Sequence, residues 1–375
     1  MDAKLRKVLH VTESLGGGIL TILSRISELQ IPTSLSVTIL YTDRIVTPDI
    51  ETLKSEYFHG VQVESINSSS EISKYLKMFI RIRKILSSNQ FDVIHLHSSI
   101  AGFLGRMALH SVKTKTKVFY SPHGYSFLNL EQSTFRRKIY FTLEQLASRT
   151  DAATVATCNS EFNLAKKVNK NQRIASVQTG IPRNSISKTP RRLQDRKPRI
   201  AMIGRVCVQK NPREFDRVAQ ILMNEFDFIW IGDFDPDHEY PNFRFSQNVK
   251  VTGWLNSVEL SLVLDSIDLL LFQSLWEGFA LSIPLAQGKG IPVITNSSPG
   301  NIDAVLDGEN GAVSDSTLET VKAIREILRD QIIYQIYSKQ TLSHCAEHLT
   351  DDDLGSSLSI IYFGESIENH IEPIG

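Results

Sequence analysis

Cysteine is scarce: Cys158, Cys207 and Cys345 are the only three in 375 residues, odd in number and far apart. That excludes a disulfide framework and the closely paired cysteines of a zinc site, and it suits a reducing compartment. No charge of one sign predominates, since 41 Lys and Arg balance 41 Asp and Glu for a formal net charge of zero. Wholesale nucleic-acid binding, which needs a basic surplus, is therefore not expected. Long apolar runs are missing too. No segment approaches the roughly 18 residues of a membrane-spanning helix, so any membrane contact is expected to be peripheral. Lys4, Arg6 and Lys7 open the chain, but a strand-like stretch and a glycine run follow in place of a signal peptide's apolar core and cleavage site. The expected location is the cytoplasm.

What is present is an ordinary globular composition, 41% hydrophobic and 22% charged. The length exceeds what one core organises, which predicts two domains. Lys7 to Val11 reads as a buried strand, Gly16 to Gly18 as a turn and Ile19 to Leu29 as an amphipathic helix, the opening of a βαβ unit. Further strands are expected at Ser36 to Tyr41, Val61 to Val63, Val93 to Leu96, Lys117 to Tyr120, Ala153 to Ala156 and Ser176 to Gln178, with helices at Ile72 to Leu86 and Arg136 to Ala147. After a polar stretch at 184–198 the alternation resumes. Strands are expected at Arg199 to Ile203, Phe228 to Ile231, Val249 to Val251, Leu269 to Phe272 and Pro292 to Thr295. The helices of this half are expected at Arg213 to Asn224, Ser257 to Leu264, Phe279 to Gly288 and Thr317 to Arg329. Such alternation predicts an α/β protein of two Rossmann-like, doubly wound domains facing across a cleft. The expected boundaries are 1–183 for the first domain, 184–198 for the linker, 199–350 for the second domain and 351–375 for a partly helical tail.

Three constellations carry chemistry. Gly16, Gly17 and Gly18 follow the first strand, where bare backbone can approach an anionic or sugar ligand, although a plain tight turn explains them equally well. A NAD fingerprint would need glycine or alanine where Thr21 stands; Asp43 beyond the second strand is the one feature in its favour. Arg205 and Lys210 lie just past the strand that ends at Ile203, and two such cations can clamp a diphosphate. Glu277 lies just past the strand that ends at Phe272, at a junction where a carboxylate can accept hydrogen bonds from sugar hydroxyls.

Gly204-Arg205 with Lys210, the run Glu277-Gly278-Phe279-Ala280-Leu281, and Asp307-Gly308-Glu309-Asn310-Gly311 together resemble the signature blocks of glycosyltransferase family 4, the retaining group with the GT-B fold. The similarity extends, in the family's order, through the glycine turn, Phe91 to His97, Ser121 to Gly124, Asn159-Ser160 and Thr179 to Ile181. The resemblance implies a hexosyltransferase with an N-terminal acceptor domain and a C-terminal donor domain. Arg205 and Lys210 would hold the donor diphosphate without a metal, Glu277 would contact the donor sugar, and His123 would lie near the sugar and the acceptor. Gly17, Gly18, Trp254, Gly278, Phe279, Ala280 and Leu281 complete the implied binding set. No cofactor is expected. The implied donor is a nucleotide diphosphate sugar, UDP first and GDP next. The implied acceptor is a saccharide or a polyprenyl-diphosphate-linked saccharide, as in O-antigen, capsule or lipopolysaccharide assembly at the inner membrane face.

One departure stands out. The family places a second glutamate eight positions after the first, for the nucleotide ribose, and here Leu285 stands there, with Pro284 displaced from the place Ser282 holds. Alternatives are a GT-B sugar epimerase, a noncatalytic nucleotide-sugar binder suggested by Leu285, and a NAD-dependent oxidoreductase. Asp233, Asp235 and Asp237 resemble a metal-binding aspartate motif and are read as a hydrated turn, and Asp351 to Asp353 as a solvated helix start. His95 and His97 are taken to lack further close ligands, one facing the cleft and the other packing internally. Lys74, Lys77, Arg81, Arg83 and Lys84, with Arg136 to Lys138, form either a solvated basic face or a surface for anionic lipid headgroups.

Overall fold

A computed structural model describes residues 5–31, 35–44, 47–68, 70–234, 240 and 243–364. Two compact units emerge, one of Met1–Gln178 with Asp353–Gly375 and one of Thr179–Asp352.

The first unit opens with β1 (Arg6–Thr12), α1 (Gly17–Gln30), β2 (Leu35–Thr42), the single turn α2 (Ile50–Thr52) and β3 (Gln62–Ile66). It continues with α3 (Glu71–Ser88), β4 (Val93–His97), α4 (Ser99–His110), β5 (Lys117–Ser121), α5 (Thr134–Ala147), β6 (Ala153–Ala156), α6 (Asn159–Val168) and β7 (Ile174–Ser176). The sheet order is β3-β2-β1-β4-β5-β6-β7, parallel throughout. Strands buried on both faces explain why β1, β4 and β6 read as continuous rather than alternating apolar runs. Ser70 caps α3 by accepting from the Ser73 amide at 3.3 Å, and Asn89 ends it in the left-handed conformation. The α4 helix is tied to α5 by a buried ion pair, Arg106 Nη2 to Glu144 Oε2 at 2.7 Å. Tyr120 Oη donates to the same carboxylate at 3.1 Å, and the guanidinium lies 3.9 Å over the Tyr120 ring.

The second unit holds β8 (Arg199–Ile203), α7 (Pro212–Ile221), β9 (Asp227–Ile231), β10 (Val249–Val251), α8 (Ser257–Ser266) and β11 (Leu269–Phe272). After these come α9 (Ser282–Gln287), β12 (Val293–Thr295), β13 (Gly311–Val313), α10 (Thr317–Ile327) and α11 (Gln331–His348). Its parallel sheet runs β10-β9-β8-β11-β12-β13. Asn256 and Glu259 open α8 with a capping box, and Pro212 opens α7 directly after the left-handed Asn211. In both sheets the chain reverses direction of travel in the middle, between β1 and β4 and between β8 and β11.

Several boundaries differ from expectation. The division falls at Gln178–Thr179, and the polar stretch 184–198 packs on the second unit instead of linking the two. The Arg191 amide donates to Ser338 Oγ at 2.7 Å, and Arg196 pairs with the buried Asp268 at 2.7 Å. The tail forms α12 (Leu354–Phe363), which returns to the first unit and packs on α1. Asp351, expected in solvent, is buried, while Asp352 pairs with Arg183 at 3.3 Å. β7 lies two residues earlier than the expected Ser176 to Gln178. The helix expected from Phe279 starts only at Ser282, so Glu277 to Leu281 is a loop.

Candidate functional site

In open α/β sheets, ligands bind at the carboxyl ends of the strands, where the strand order reverses. The second unit places its expected residues there. The loop after β8 carries Gly204, Arg205 and Lys210; the loop after β11 carries Ser274 to Leu281. The two meet directly: Lys210 Nζ lies 2.7 Å from Glu277 Oε1, and the ammonium sits 4.6 Å over the Phe272 ring. Both side chains are largely buried. Backbone bonds fix the pair's loops, with the Leu275 amide donating to the Gln209 carbonyl and Gln209 Nε2 to the Trp276 carbonyl, each at 2.8 Å.

Close backbone packing sets the Arg205 position. Gly204 has φ +148° and Gly232 φ +135°, and a Cβ on Gly232 would fall 2.2 Å from the Gly204 carbonyl oxygen. Only glycine allows that approach. Trp230 Nε1 donates to the same carbonyl at 2.8 Å. Gly232 also bridges to Gly253, which brings Trp254, 56% exposed, beside the β8 and β9 loop ends. On the other side, Gly300 packs on the Gly278 carbonyl, and a buried amide cluster holds the β11 exit: Asn301 accepts from Ser274 Oγ at 3.0 Å and donates to Asn296 at 2.8 Å. Leu285 packs, partly buried, against this unit's core, so the position that would hold a ribose carboxylate is apolar. A cavity of about 320 Å³ lined by Arg199, Asp227 and Lys250 lies at the opposite, amino end of the strands. Asp233 is described, and its carbonyl accepts from the Val206 amide; Asp235 and Asp237 lie outside the described residues.

In the first unit, Gly17 and Gly18 form the exposed first turn of α1, with open space where side chains would be. His123 follows β5 with φ +51°, and Ser98 follows β4 with φ +73°. Left-handed conformations at non-glycine residues cost of order 1–3 kcal/mol each and persist only where the surroundings enforce them. The enforcement at His123 is an edge-to-edge hydrogen bond with His97, the Nδ1 to Nε2 contact being 2.9 Å and the ring planes within 13° of parallel.

The histidine reading needs correction. His95 and His97, two residues apart on β4, point to one side of the sheet, with ring centroids 4.2 Å apart, and both are buried. His10 of β1 joins them as a third buried imidazole, so close neighbours do exist. Burial pushes His10 and His123 down from 6.5 to about 4 and holds His95 and His97 well below the usual range, so all four rings are neutral at physiological pH. The three could geometrically approach a metal, but every ring nitrogen of His10, His95 and His97 already has a hydrogen-bond partner.

Sequence reasoning also missed Glu13. It sits at the β1 exit beside the strand-order reversal, where its carboxylate accepts from Ser98 Oγ and, at 3.3 Å, from the Ala101 amide at the start of α4. Burial raises its pKa against those bonds. The signal that could have found it is a lone acid between a buried strand and a glycine turn.

Comparison with known proteins adds an independent line. Residues 197–330 match the family model described as "Glycosyl transferases group 1", and residues 35–184 match "Glycosyltransferase Family 4". Among similar curated proteins is an "Uncharacterized 41.2 kDa protein in cps region" of Klebsiella pneumoniae, 28% identical over 87% of this chain and 90% of that one. Another is the Escherichia coli "UDP-Gal:alpha-D-GlcNAc-diphosphoundecaprenol alpha-1,3-galactosyltransferase", 26% identical over 64% of this chain and 66% of that one. Among solved structures, Anabaena Alr3699/HepE in complex with UDP and glucose superposes with a TM-score of 0.73 at 14% identity, covering 95% of this chain and 99% of that chain.

Proposed function

The chain belongs to the family-4 glycosyltransferases of GT-B fold, and on that premise we propose that it moves a hexosyl unit from a nucleotide diphosphate sugar, a UDP-sugar, to a lipid-linked saccharide with retention of configuration. The observation that carries this reading is the Lys210–Glu277 pair, which brings a phosphate-binding cation and a sugar-binding carboxylate together at the point of strand reversal. The Escherichia coli relative, which acts from UDP-Gal on a diphosphoundecaprenol-linked sugar, and the Anabaena complex with UDP and glucose support the donor and the lipid-linked acceptor. Family membership sets aside the epimerase and oxidoreductase alternatives.

In this proposal Arg205 and Lys210 hold the diphosphate, and their charge stabilises the nucleotide as it leaves. Donor phosphates draw Lys210 away from Glu277, freeing the carboxylate to accept from the donor's hydroxyls. Trp254, more than half exposed, stacks on the base. The Gly278 to Leu281 loop lines the sugar. No metal is needed because two side-chain cations already balance the diphosphate. The acceptor hydroxyl attacks the anomeric carbon from the face the nucleotide leaves, and the departing phosphate takes its proton. Gly17, Gly18 and His123 of the first unit serve the acceptor saccharide. Leu285 leaves the ribose hydroxyls to backbone partners or water.

The acceptor's lipid requires access to a membrane surface, and no helix among the described residues is long and apolar enough to cross one. α3 and α5 both pack on α4. On α3, Ile72, Leu76 and Ile80 form an exposed stripe at helical spacing, and on α5 Phe135 is 74% exposed. Lys74 and Arg81 are paired with Glu71 and Glu64, whereas Lys77, Arg83, Lys84, Arg136 and Lys138 have no ion pair among the described residues. Apolar side chains rimmed by cations fit an anionic lipid interface. Transfer from UDP-hexoses is expected both to a water-soluble saccharide diphosphate and to its polyprenyl form in anionic vesicles, with EDTA present. Changing Ile72, Leu76 and Ile80 together to serine is expected to slow only the vesicle reaction, by about tenfold, from the lost apolar burial. Absence of transfer from any UDP-sugar would contradict the donor assignment, and equal loss on both acceptors would contradict the membrane surface.

A further inference from the structure

Two runs of hydrogen bonds lie behind His123 and meet where the Tyr362 hydroxyl neighbours the Gln30 amide, and the groups in each have a fixed direction. The inner run begins at a backbone carbonyl. Ser121 Oγ lies 2.8 Å from the Val155 oxygen and must donate its single hydrogen there. It can then only accept from His95 Nε2, 2.9 Å away, so His95 carries its proton on Nε2 and offers a lone pair on Nδ1. The Tyr362 hydroxyl, 2.6 Å from that Nδ1, donates to it; burial raises this phenol's pKa, so the hydrogen is present. A hydroxyl that has spent its hydrogen shows only lone pairs to its other neighbour, the Gln30 amide. The Gln30 NH₂ therefore faces Tyr362, and its Oε1 faces His10 Nε2 at 2.9 Å.

From Gln30 the direction propagates outward. An amide oxygen only accepts, so His10 is protonated on Nε2 and its Nδ1 accepts from His97 Nε2 at 2.9 Å. His97 Nδ1 in turn accepts from His123 Nε2, also at 2.9 Å. We propose that this series locks His123 in the tautomer with its proton on Nε2, so that Nδ1 presents a lone pair to a hydroxyl of the saccharide substrate. Gln30, His10, His97 and Tyr362 are thus positioning residues, and Tyr362 gives the C-terminal helix α12 a part in the site at the opposite end of the unit's sequence. The substrate step rests on the reading of His123 given above; the tautomer does not.

The series is a lock and not a proton exit. Its inner end is an amide, a phenol, the His95 imidazole that burial holds well below the usual range, a serine and a peptide carbonyl, none of which takes up a proton at physiological pH. Burial also pushes His123 itself down to about 4, so its Nδ1 accepts a hydrogen bond from the hydroxyl without removing its proton. The opposite tautomer would set an N–H against the hydroxyl and reverse the polarity the substrate meets.

The test is nitrogen-15 NMR of the full-length protein with labelled histidine, His123 being assigned by its loss in His123→Asn. The expected spectrum at neutral pH has His123 protonated on Nε2 and bare on Nδ1. In Tyr362→Phe and in Gln30→Leu, the resonances are expected to move toward a mixture of tautomers, with kcat/KM falling roughly tenfold, the scale of one misdirected hydrogen bond. A proton on Nδ1 in the wild type overturns the proposal whatever the enzyme's activity, even if neither variant folds. So does binding of one equivalent of Zn(II) with displacement of the His10 and His97 ring protons. An unchanged tautomer in both folded variants overturns the anchoring role. A correct tautomer with no sugar transfer from any donor leaves the lock standing and counts against the functional reading alone.

Discussion

Alanine at Glu277, or at Arg205, is expected to lower turnover by at least about a hundredfold, the scale of losing one preorganised transition-state contact. The two should differ in kind. Arg205→Ala removes a cation from the diphosphate, and its loss should appear both in nucleotide affinity and in kcat. Glu277→Ala removes the carboxylate that pairs with Lys210 at 2.7 Å and holds its ammonium 4.6 Å over the Phe272 ring. Freed from that pair, Lys210 keeps its charge for the phosphates, so UDP affinity should be retained or rise while kcat collapses. Steady-state kinetics with UDP inhibition constants separates the two. Wild-type rates in both variants would remove the site assignment.

The second large effect concerns stability. Glu144→Ala is expected to destabilise the first unit by about 3–5 kcal/mol, because it leaves Arg106 charged, buried and without its carboxylate. The Tyr120 hydroxyl loses its acceptor at the same time. Replacing both partners by apolar residues, Arg106→Met with Glu144→Leu, should recover most of the loss, since the desolvation penalty disappears together with the attraction. Denaturant unfolding followed by intrinsic fluorescence gives the comparison. A shift below about 1 kcal/mol in Glu144→Ala would mean that water reaches the guanidinium.

The parts of the fold visible in the sequence were those where burial wrote a continuous apolar run. β6, β8 and β11 stand where the runs lie, residue for residue. What escaped notice lacked that signature. α11 buries Tyr334, Ser338, Thr341, Leu342 and Cys345, a face of small and polar side chains with no apolar periodicity to read. α4 carries Gly102 and Gly105 in the middle of its length, where glycine ordinarily argues against a helix; the structure uses them for close packing on Tyr120 and Leu96.

The site divides in the same way. That Arg205, Lys210 and Glu277 stand just past strand ends was legible because local motifs follow recognisable strands. The contact between Lys210 and Glu277 spans 67 residues and depends on β8 and β11 being neighbours, which no local pattern states. The imidazole series was harder still. His95 and His97 share a side by strand periodicity alone, but His10, Gln30 and Tyr362 join them only through the strand order and the return of the tail, across 267 residues in the case of Tyr362.

The central claim is that the second unit holds a nucleotide diphosphate through side-chain cations. Calorimetric titration of the purified protein with UDP, GDP, CMP and NAD, each with and without EDTA, tests it most directly. The account predicts that UDP or GDP binds, that EDTA leaves the affinity unchanged, and that Arg205→Ala abolishes binding. Failure of every nucleotide to bind, or binding that vanishes with EDTA, would contradict it.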